Sequence, residues 1–342
     1  MSAAPAGSSP VAAVAPVAIQ IVTHDSAADL PAAMTAIAAL TPRPTEIVVV
    51  DCASGDGSAE VAREHAPAAI PLRIEALGEN RGFAGGMNRG FELSTAPFVL
   101  TLNADAAPER DFLARLLARC EGEECRVAAA TGRLVRPPAP GGERLLDACG
   151  MRLTRSWRHL DRGSGEIDRG QYGRAERVFG ATGAATLFRR AALDDVAIEG
   201  RIFDDRFHSF REDAELAFRF AERGWQVVYA PDAVAIHRRR VVPERRAALP
   251  PMINFHSLKN RYLLRIDHQS AANFVRTLPW TLGRDLAALG YVLLRERSSL
   301  PVYGWLWRHR RELVAHRRML RRRITAPRRE IERWFGRHGE AL

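Results

Sequence analysis

An α/β fold around a mostly parallel sheet is what this sequence predicts, and three observations carry that expectation. Short apolar runs alternate with stretches of helical spacing over the first hundred residues. The clearest of those runs end in polar or acidic residues. Of the 342 residues, 46% are apolar and 26% charged, enough for one large domain or two ordinary ones and unlike a disordered chain.

The elements follow in order. Residues 1–16 lack a basic start and contain prolines, so they read as a disordered tail and not a secretory signal. Residues 17–22, VAIQIV, are β-branched and apolar, the pattern of a first strand. Leu30, Met34, Ile37 and Leu40 then recur at helical spacing, with Asp25 or Ser26 placed to cap. EIVVVD (46–51) is the clearest buried strand and ends in an acid. SGDGSAEVAREHA starts a second helix behind a glycine-rich turn, and PLRIEAL is a third strand. GFAGGMNRGFELS is a loop entering a helix, and PFVLTLNAD (97–105) is a fourth strand. In such βαβ sheets ligands bind at the carboxyl ends of the strands, here at Thr23, Asp25, Asp51, Asn103 and Asp105.

Residues 135–175 are rich in Arg, Gly and Pro and read as loops and short strands near the site. VFGATGAATLFRRAAL returns to a strand and a helix start. FREDAELAFRFAERGW is an amphipathic helix closed by Gly224, and QVVYAPDAVAIH is one or two strands. The text then turns arginine- and aromatic-rich. This predicts a domain over 17–240 and a basic helical region over 241–342.

Charge divides the same way. Residues 238–342 hold 24 basic and 8 acidic residues, net +16, which leaves −6 for the first 237. Such a segment suits nucleic acid, anionic lipid or a phosphorylated substrate. Of the 50 basic side chains only Lys259 is lysine, so the preference for arginine reflects composition more than recognition. Cys52, Cys120, Cys125 and Cys149 form no CxxC pair, which disfavours a disulfide framework or a cysteine zinc site and suits a reducing cytosol. No run of 18 uninterrupted apolar residues occurs.

Five places can carry chemistry. Asp51 can accept hydrogen bonds from a ribose or base, or simply form a turn in DxxSxDGS. The first strand is followed by THDSAAD and not GxGxxG, which removes the dinucleotide-binding turn. ENRGFAGGMNRG (79–90) can bring backbone N–H groups to a phosphate, or be a flexible connection. Asp105 in LNAD can hold a hard divalent cation with Asn103 beside it. Asp213 shares the apolar face of its helix with Leu216, Ala217 and Phe220, whereas Glu212 aligns with Glu215 and Arg219 and is expected to point outward. His237 closes the strand AVAIH on a face shared with Ala233 and Ala235.

Taken as an ordered set, IVTHDS, VVVDCASGDGS, ENRGFAGGMNRG, LNAD, FGATGAATLFRR, FDDRFHSFREDAELAFR, GW and APDAVAIH resemble glycosyltransferase family 2, in its rhamnosyltransferase-like branch. The resemblance spans about 17–240 and continues weakly into HSLKNRYLL. It implies the GT-A nucleotide-sugar-binding fold. Thr23, Asp25 and Asp51 would lie near the nucleoside, and Asn80, Gly82 and Asn88 around nucleotide and phosphate. Asn103 and Asp105 would face a Mg²⁺ or Mn²⁺ ion, with His237 helping to hold metal or diphosphate. Asp213 would be the catalytic base, with Glu212 its nearest rival. Asp25 and Cys52 stand where the family usually has Asn, and Asn-Ala-Asp lacks the first acid of Asp-x-Asp.

The implied reaction is a single in-line displacement with inversion. It moves a sugar from a nucleoside-diphosphate donor, dTDP-rhamnose among those implied, to a hydroxyl of a glycan or lipid-linked acceptor in cell-envelope polysaccharide synthesis. The stretch FVRTLPWTLGRDLAALGYVLL, Trp305, Trp307 and the RRMLRRR run suit a helix lying on an anionic membrane. That places the enzyme in the cytoplasm, on the inner face of the cytoplasmic membrane. The competing expectation is a non-catalytic protein that binds nucleic acid or lipid through its basic region.

Overall fold

The computed structural model describes residues 15–121, 126–138, 141–239, 250–337 and 339–342. The expected tail up to residue 14, Cys125 and the start of the basic region (240–249) lie outside the described residues. The first half follows the alternation read from sequence: β1 (Val17–Thr23), α1 (Leu30–Ala38), β2 (Glu46–Asp51), α2 (Ser58–Glu64), β3 (Leu72–Ala76), α3 (Gly82–Leu93) and β4 (Phe98–Leu102). β1 pairs in parallel with β2 and β4, and β2 with β3, which sets Thr23 level with Asp51 at one end of the sheet.

Period-two alternation in β1 explains its two cores. Val17, Ile19 and Ile21 pack with Leu30, Met34 and Ile37 of α1. On the other face Gln20 donates to the Met87 carbonyl of α3 at 2.6 Å. α3 lies this close because of two glycines. A Cβ on Gly90 would stand 2.1 Å from Gln20 Nε2, and one on Gly86 2.6 Å from Val22 Cγ1. These two glycines of the 79–90 motif serve helix–sheet packing.

The second half extends the sheet. It contains β5 (Ala106–Pro108), α4 (Phe112–Leu117), β6 (Val127–Val135), β7 (Leu146–Ala148), β8 (Met151–Leu153), β9 (His159–Asp161), β10 (Glu176–Val178), β11 (Ala185–Arg189), α5 (Arg190–Val196), α6 (Glu212–Glu222) and β12 (Gln226–His237). β11 runs antiparallel between β4 and β6, and β12 parallel to β6. β5 pairs with the end of β12, Ala106 opposite His237, and this register delivers Asp105 to the imidazole. β8 and β9 form a separate hairpin.

Helices α7 (Pro251–His268), α8 (Ala271–Leu294), α9 (Pro301–Arg308), α10 (Arg310–Arg323) and α11 (Arg328–Glu332) follow, and β13 (Glu340–Ala341) joins the main sheet through β10. Leu263, Leu264, Leu313, Ile331 and Trp334 share a core with Phe179, Phe207 and Phe218. This cover changes α6. Glu212, Glu215 and Arg219, expected to face outward, are 6%, 0% and 3% exposed. The amphipathic pattern gave α6 one buried face; the C-terminal helices bury the other. Among the described residues, no helix is long and apolar enough to cross a membrane.

Candidate active site

Strand ends and the start of α6 come together at one place. Asp105 Oδ1 lies 3.2 Å from His237 Nε2, and Asn103 Nδ2 3.4 Å from the same nitrogen. The other ring nitrogen, Nδ1, lies 2.7 Å from Asp147 Oδ2. Asp147 is fully buried and also meets Arg239 Nε at 3.0 Å and Arg136 Nε at 3.7 Å. Arg239 continues to Asp161 at the end of the β8–β9 hairpin. Burial disfavours the imidazolium, but the hydrogen bonds and charges of Asp105 and Asp147 outweigh it and raise His237 to about 9.

This donor set fits a divalent cation. A carboxylate on one nitrogen of a histidine fixes the ring and turns the other nitrogen toward a ligand. Asp147 does this for His237, leaving Nε2 and the Asp105 carboxylate side by side, with the Asn103 amide beside them. Another group, Asp204, Asp267 and His316, also gathers potential ligand atoms within 4.8 Å of one another. There the Arg206 guanidinium already bridges Asp204 and Asp267, so a protein cation fills the position.

Asp213 opens the helix α6 at the same place. Its Oδ1 accepts the Ala214 N–H at 2.7 Å and its Oδ2 the Gly183 N–H at 3.4 Å. The adjoining Ala184 carbonyl accepts the Asn103 N–H at 2.8 Å. The Gly183–Ala184 dipeptide therefore ties Asp213 to the Asn103–Asp105 strand end. Burial and then the nearby Asp161 raise Asp213 to about 6, against the two N–H groups that hold it down. Glu212 is pushed further up, first by burial and then by Asp213, and its Oε2 finds no hydrogen-bond partner among the described residues. Burial thus pushes both carboxyls up, the closed Glu212 further than the partly open Asp213. Helical phase turned Glu212 outward; the structure instead buries it beside Asp213.

The nucleoside-side expectations resolve unevenly. Thr23 is 1% exposed and its hydroxyl has no partner among the described residues, a buried polar group awaiting one. Asp51 holds Ser54 by both its N–H (3.2 Å) and its hydroxyl, so the turn reading is realised, with lone pairs left over. Asp25 has φ +49° and accepts the Gly55 N–H at 2.8 Å, tying the β1 and β2 loops together. Asn80 accepts the Gly82 N–H at 2.8 Å. Gly82 has φ +67°, and a Cβ there would stand 2.4 Å from the His208 carbonyl oxygen. Asn88 departs from expectation. Its amide donates to the Phe203 carbonyl and Asp205, and accepts from the N–H groups of Ile202 and Phe203, at 2.8–3.0 Å. Both hydrogens and both lone pairs are spent, so this buried residue clamps the 202–205 loop instead of meeting a nucleotide.

Asp147, Asp161 and Arg239 were not among the residues singled out. Asp147 did leave a signal: an acid inside the apolar run LLDACG must have a partner if the run is buried. Asp161 and Arg239 sit in loop-like, arginine-rich text and gave none.

The sheet topology and the strand-end site define a glycosyltransferase of GT-A fold. Over 94% of its length the chain matches the structure of GalNAc-T7 with UDP, GalNAc and Mn²⁺, TM-score 0.64 at 13% identity, spanning 57% of that chain. It matches Staphylococcus aureus TarS 1–349 in complex with UDP-GlcNAc at TM-score 0.55 and 16% identity, covering 94% of this chain and 93% of that one. The chain belongs to glycosyl transferase family 2, whose model matches residues 18–197. It is 25% identical to an N-acetylglucosaminyl-diphospho-decaprenol L-rhamnosyltransferase of Mycobacterium tuberculosis, over 82% of this chain and 92% of the relative. It is 33% identical to the succinoglycan biosynthesis protein ExoU of Rhizobium meliloti, over 38% of this chain and 41% of that one.

Proposed function

We propose that this glycosyltransferase inverts its donor sugar in one displacement, with Asp213 as base. The sugar passes from a nucleoside diphosphate to a hydroxyl of a glycan or lipid-linked acceptor of the cell envelope. What supports this reading is the Glu212–Asp213 pair: Asp213 is partly open, accepts the Ala214 and Gly183 N–H groups and is raised to about 6, while burial pushes the closed Glu212 carboxyl further up. An acceptor hydroxyl is a weak nucleophile, and Asp213 takes its proton as the C–O bond forms. Thr23 and Asp51 orient the nucleoside, with Asp25 and Asn80 shaping the loops around it. Asp105 and His237 hold Mg²⁺ or Mn²⁺, with Asn103 beside them; when bound, the ion offsets the charge developing on the leaving diphosphate.

The donor and acceptor follow the mycobacterial relative, which is named for rhamnosyl transfer to a lipid diphosphate. That supports dTDP-rhamnose as first donor to test. A membrane-surface setting on the cytoplasmic side fits the same acceptor and the exposed apolar face of α8, where Val275, Leu282, Leu286 and Leu294 are 71%, 51%, 60% and 79% exposed. Release of free nucleoside diphosphate from a panel of donors, with and without a polyprenyl-diphosphate sugar acceptor, tests the reading. Acceptor-stimulated release with an inverted anomeric product supports it; binding of nucleic acid with no turnover of any donor overturns it.

A further inference from the structure

The transfer chemistry just proposed leaves one feature of α7 unexplained. Between the short 3-10 turn at Asp205–Phe207 and α6 the chain runs His208, Ser209, Phe210, Arg211. Three of these four take left-handed φ, +61°, +70° and +73°, and none is glycine. L side chains resist that region because Cβ crowds the backbone carbonyl, so such a turn persists only where its surroundings over-determine it.

The surroundings are Asn260 and the start of α3. The Asn260 side-chain NH₂ donates to the carbonyls of Phe207 (2.8 Å), Ser209 (2.9 Å) and Phe210 (2.7 Å). Two hydrogens are shared among three oxygens that converge on one nitrogen. Beside it Lys259, the single lysine of the chain, donates to the Arg206 carbonyl at 2.5 Å. Both side chains are buried, Asn260 completely. From the opposite side the Phe83 N–H donates to Ser209 Oγ at 3.1 Å and the Ala84 N–H to the His208 carbonyl at 3.0 Å.

A residue kept only to fill space here would be leucine or methionine. Asn260 instead leaves its own carbonyl oxygen buried and without a hydrogen-bond partner among the described residues, a cost that a packing residue avoids. Its donor end is therefore what the site uses. The turn it holds leads directly into Glu212 and Asp213.

We propose that Asn260, assisted by Lys259, is a positioning residue for the transfer reaction: it locks the left-handed turn 208–211 that presents Asp213 to the site. Helix α7 is thus part of the active site although it lies outside the region matched by the family model. This rests on the reading of Asp213 as base, and the test separates the two.

Full-length Asn260→Ala and Asn260→Ser are compared with wild type. In Asn260→Ala, amide hydrogen exchange over 208–214 accelerates by roughly 10-fold while β1–β4 keep wild-type protection. kcat falls by a similar factor, roughly 10-fold, with the donor KM within about 2-fold. Asn260→Ser, which keeps one donor, lies between on both measures and carries the test if the alanine variant does not fold. Unchanged exchange over 208–214 overturns the clamp. Faster exchange with unchanged kcat leaves a purely structural residue and overturns the positioning role. If Asp213→Asn keeps full activity the base assignment fails, while exchange in the Asn260 variants still decides whether the turn is held.

Discussion

Helices α6 and α8 invert the usual relation between charge and exposure. In α6 four charged side chains, Glu212, Glu215, Arg219 and Glu222, are each no more than 6% exposed. In α8 the large apolar side chains are the exposed ones, Trp280 at 46% and Leu286 at 60% among them. The reason is what each helix lies against. α6 is roofed by the helices after residue 250, and its charges survive because they are paired inside. Arg219 meets both oxygens of Glu215 at 2.6–2.7 Å and donates to the carbonyls of Val196 and Ile202. His268 of α7 sits between Glu222 at 2.9 Å and Glu215 at 3.5 Å. Burial opposes its charge, yet those carboxylates raise it to about 10, so it is a cation at every physiological pH. α8 sits at the outer side of the roof, with nothing among the described residues to cover its leucines. Buried charge marks where the chain closes on itself, and exposed apolar surface marks where it meets something else.

The sharpest way to break the comparison is to remove the cation of α6. Arg219→Ala leaves Glu215 buried beside one remaining partner, His268. A buried pair broken from one side costs about 3–5 kcal/mol. Chemical denaturation should show a loss of that size, while Arg276→Ala on the surface of α8, paired with Glu332 at 2.9 Å but 56% exposed, should change stability by less than about 1 kcal/mol. Equal effects would mean that α6 is not sealed.

The start of α6 carries the next largest effect, on rate. Asp213→Asn should lower kcat by about 100-fold or more, the scale of general base catalysis, without loss of donor affinity. Glu212→Gln replaces the more closed acid, whose carboxyl burial pushes well up, and should cost far less. The pH dependence follows from the sign of the shift. Asp213 raised to about 6 is protonated below that pH, so kcat should fall as pH drops through about 6 and level off above it. Stability moves the other way. A carboxyl whose folded value is raised favours the native state at low pH and loses that contribution as pH rises through the folded value. Asp213→Asn should therefore gain melting temperature relative to wild type as pH goes from 5 to 8. Glu212, Asp161, Arg211 and Arg239 surround this group, and a pH limb that follows Asp161→Asn instead of Asp213→Asn would reassign it.

How much of this was legible beforehand depends on whether a residue's neighbours are close in sequence. The four parallel strands and α1–α3 were, because period-two and helical patterns are local. Asp105, His237 and Asp213 were picked out by chain order within a motif set. The α6 faces were not, because hydrophobic phase reports one partner surface and α6 has two. Asp147 and Asp161 come from irregular text whose position is fixed by the pairing of β7 with β6, of β9 with β8, and by Arg239. Asn88 and the glycines of α3 were legible as special residues, but their partners, the 202–205 loop and Gln20, are far along the chain.

The metal side is the next test. Asp147→Asn keeps the shape but weakens the hold on His237 Nδ1, and such orienting partners typically contribute 10–100-fold in metal affinity or activity. Mn²⁺ titration of activity should show the requirement shifted upward in Asp147→Asn, and Asp105→Ala should weaken donor binding outright. Full wild-type activity in saturating EDTA would remove the metal from both residues.

The smallest effect per residue belongs to α8. Val275, Leu278, Leu282, Leu286, Leu289 and Leu293 recur at three- and four-residue spacing, so they form one stripe along the helix. All six are at least 37% exposed. If that stripe enters the interface of an anionic bilayer, each leucine contributes a part that salt does not remove. Nearby arginines each add on the order of 1 kcal/mol, and that part is screened. Full-length protein should then sediment with anionic vesicles, resist a salt wash in part, and bind neutral vesicles poorly. Leu282→Glu with Leu286→Glu should release it into the supernatant while turnover of a water-soluble acceptor stays at the wild-type rate, because both side chains are exposed, at 51% and 60%. A stripe that instead joins two copies of the chain would show as a dimer of the wild type and a monomer of the double variant, with vesicle binding unchanged. That outcome would keep the contrast with α6 and replace the lipid by protein.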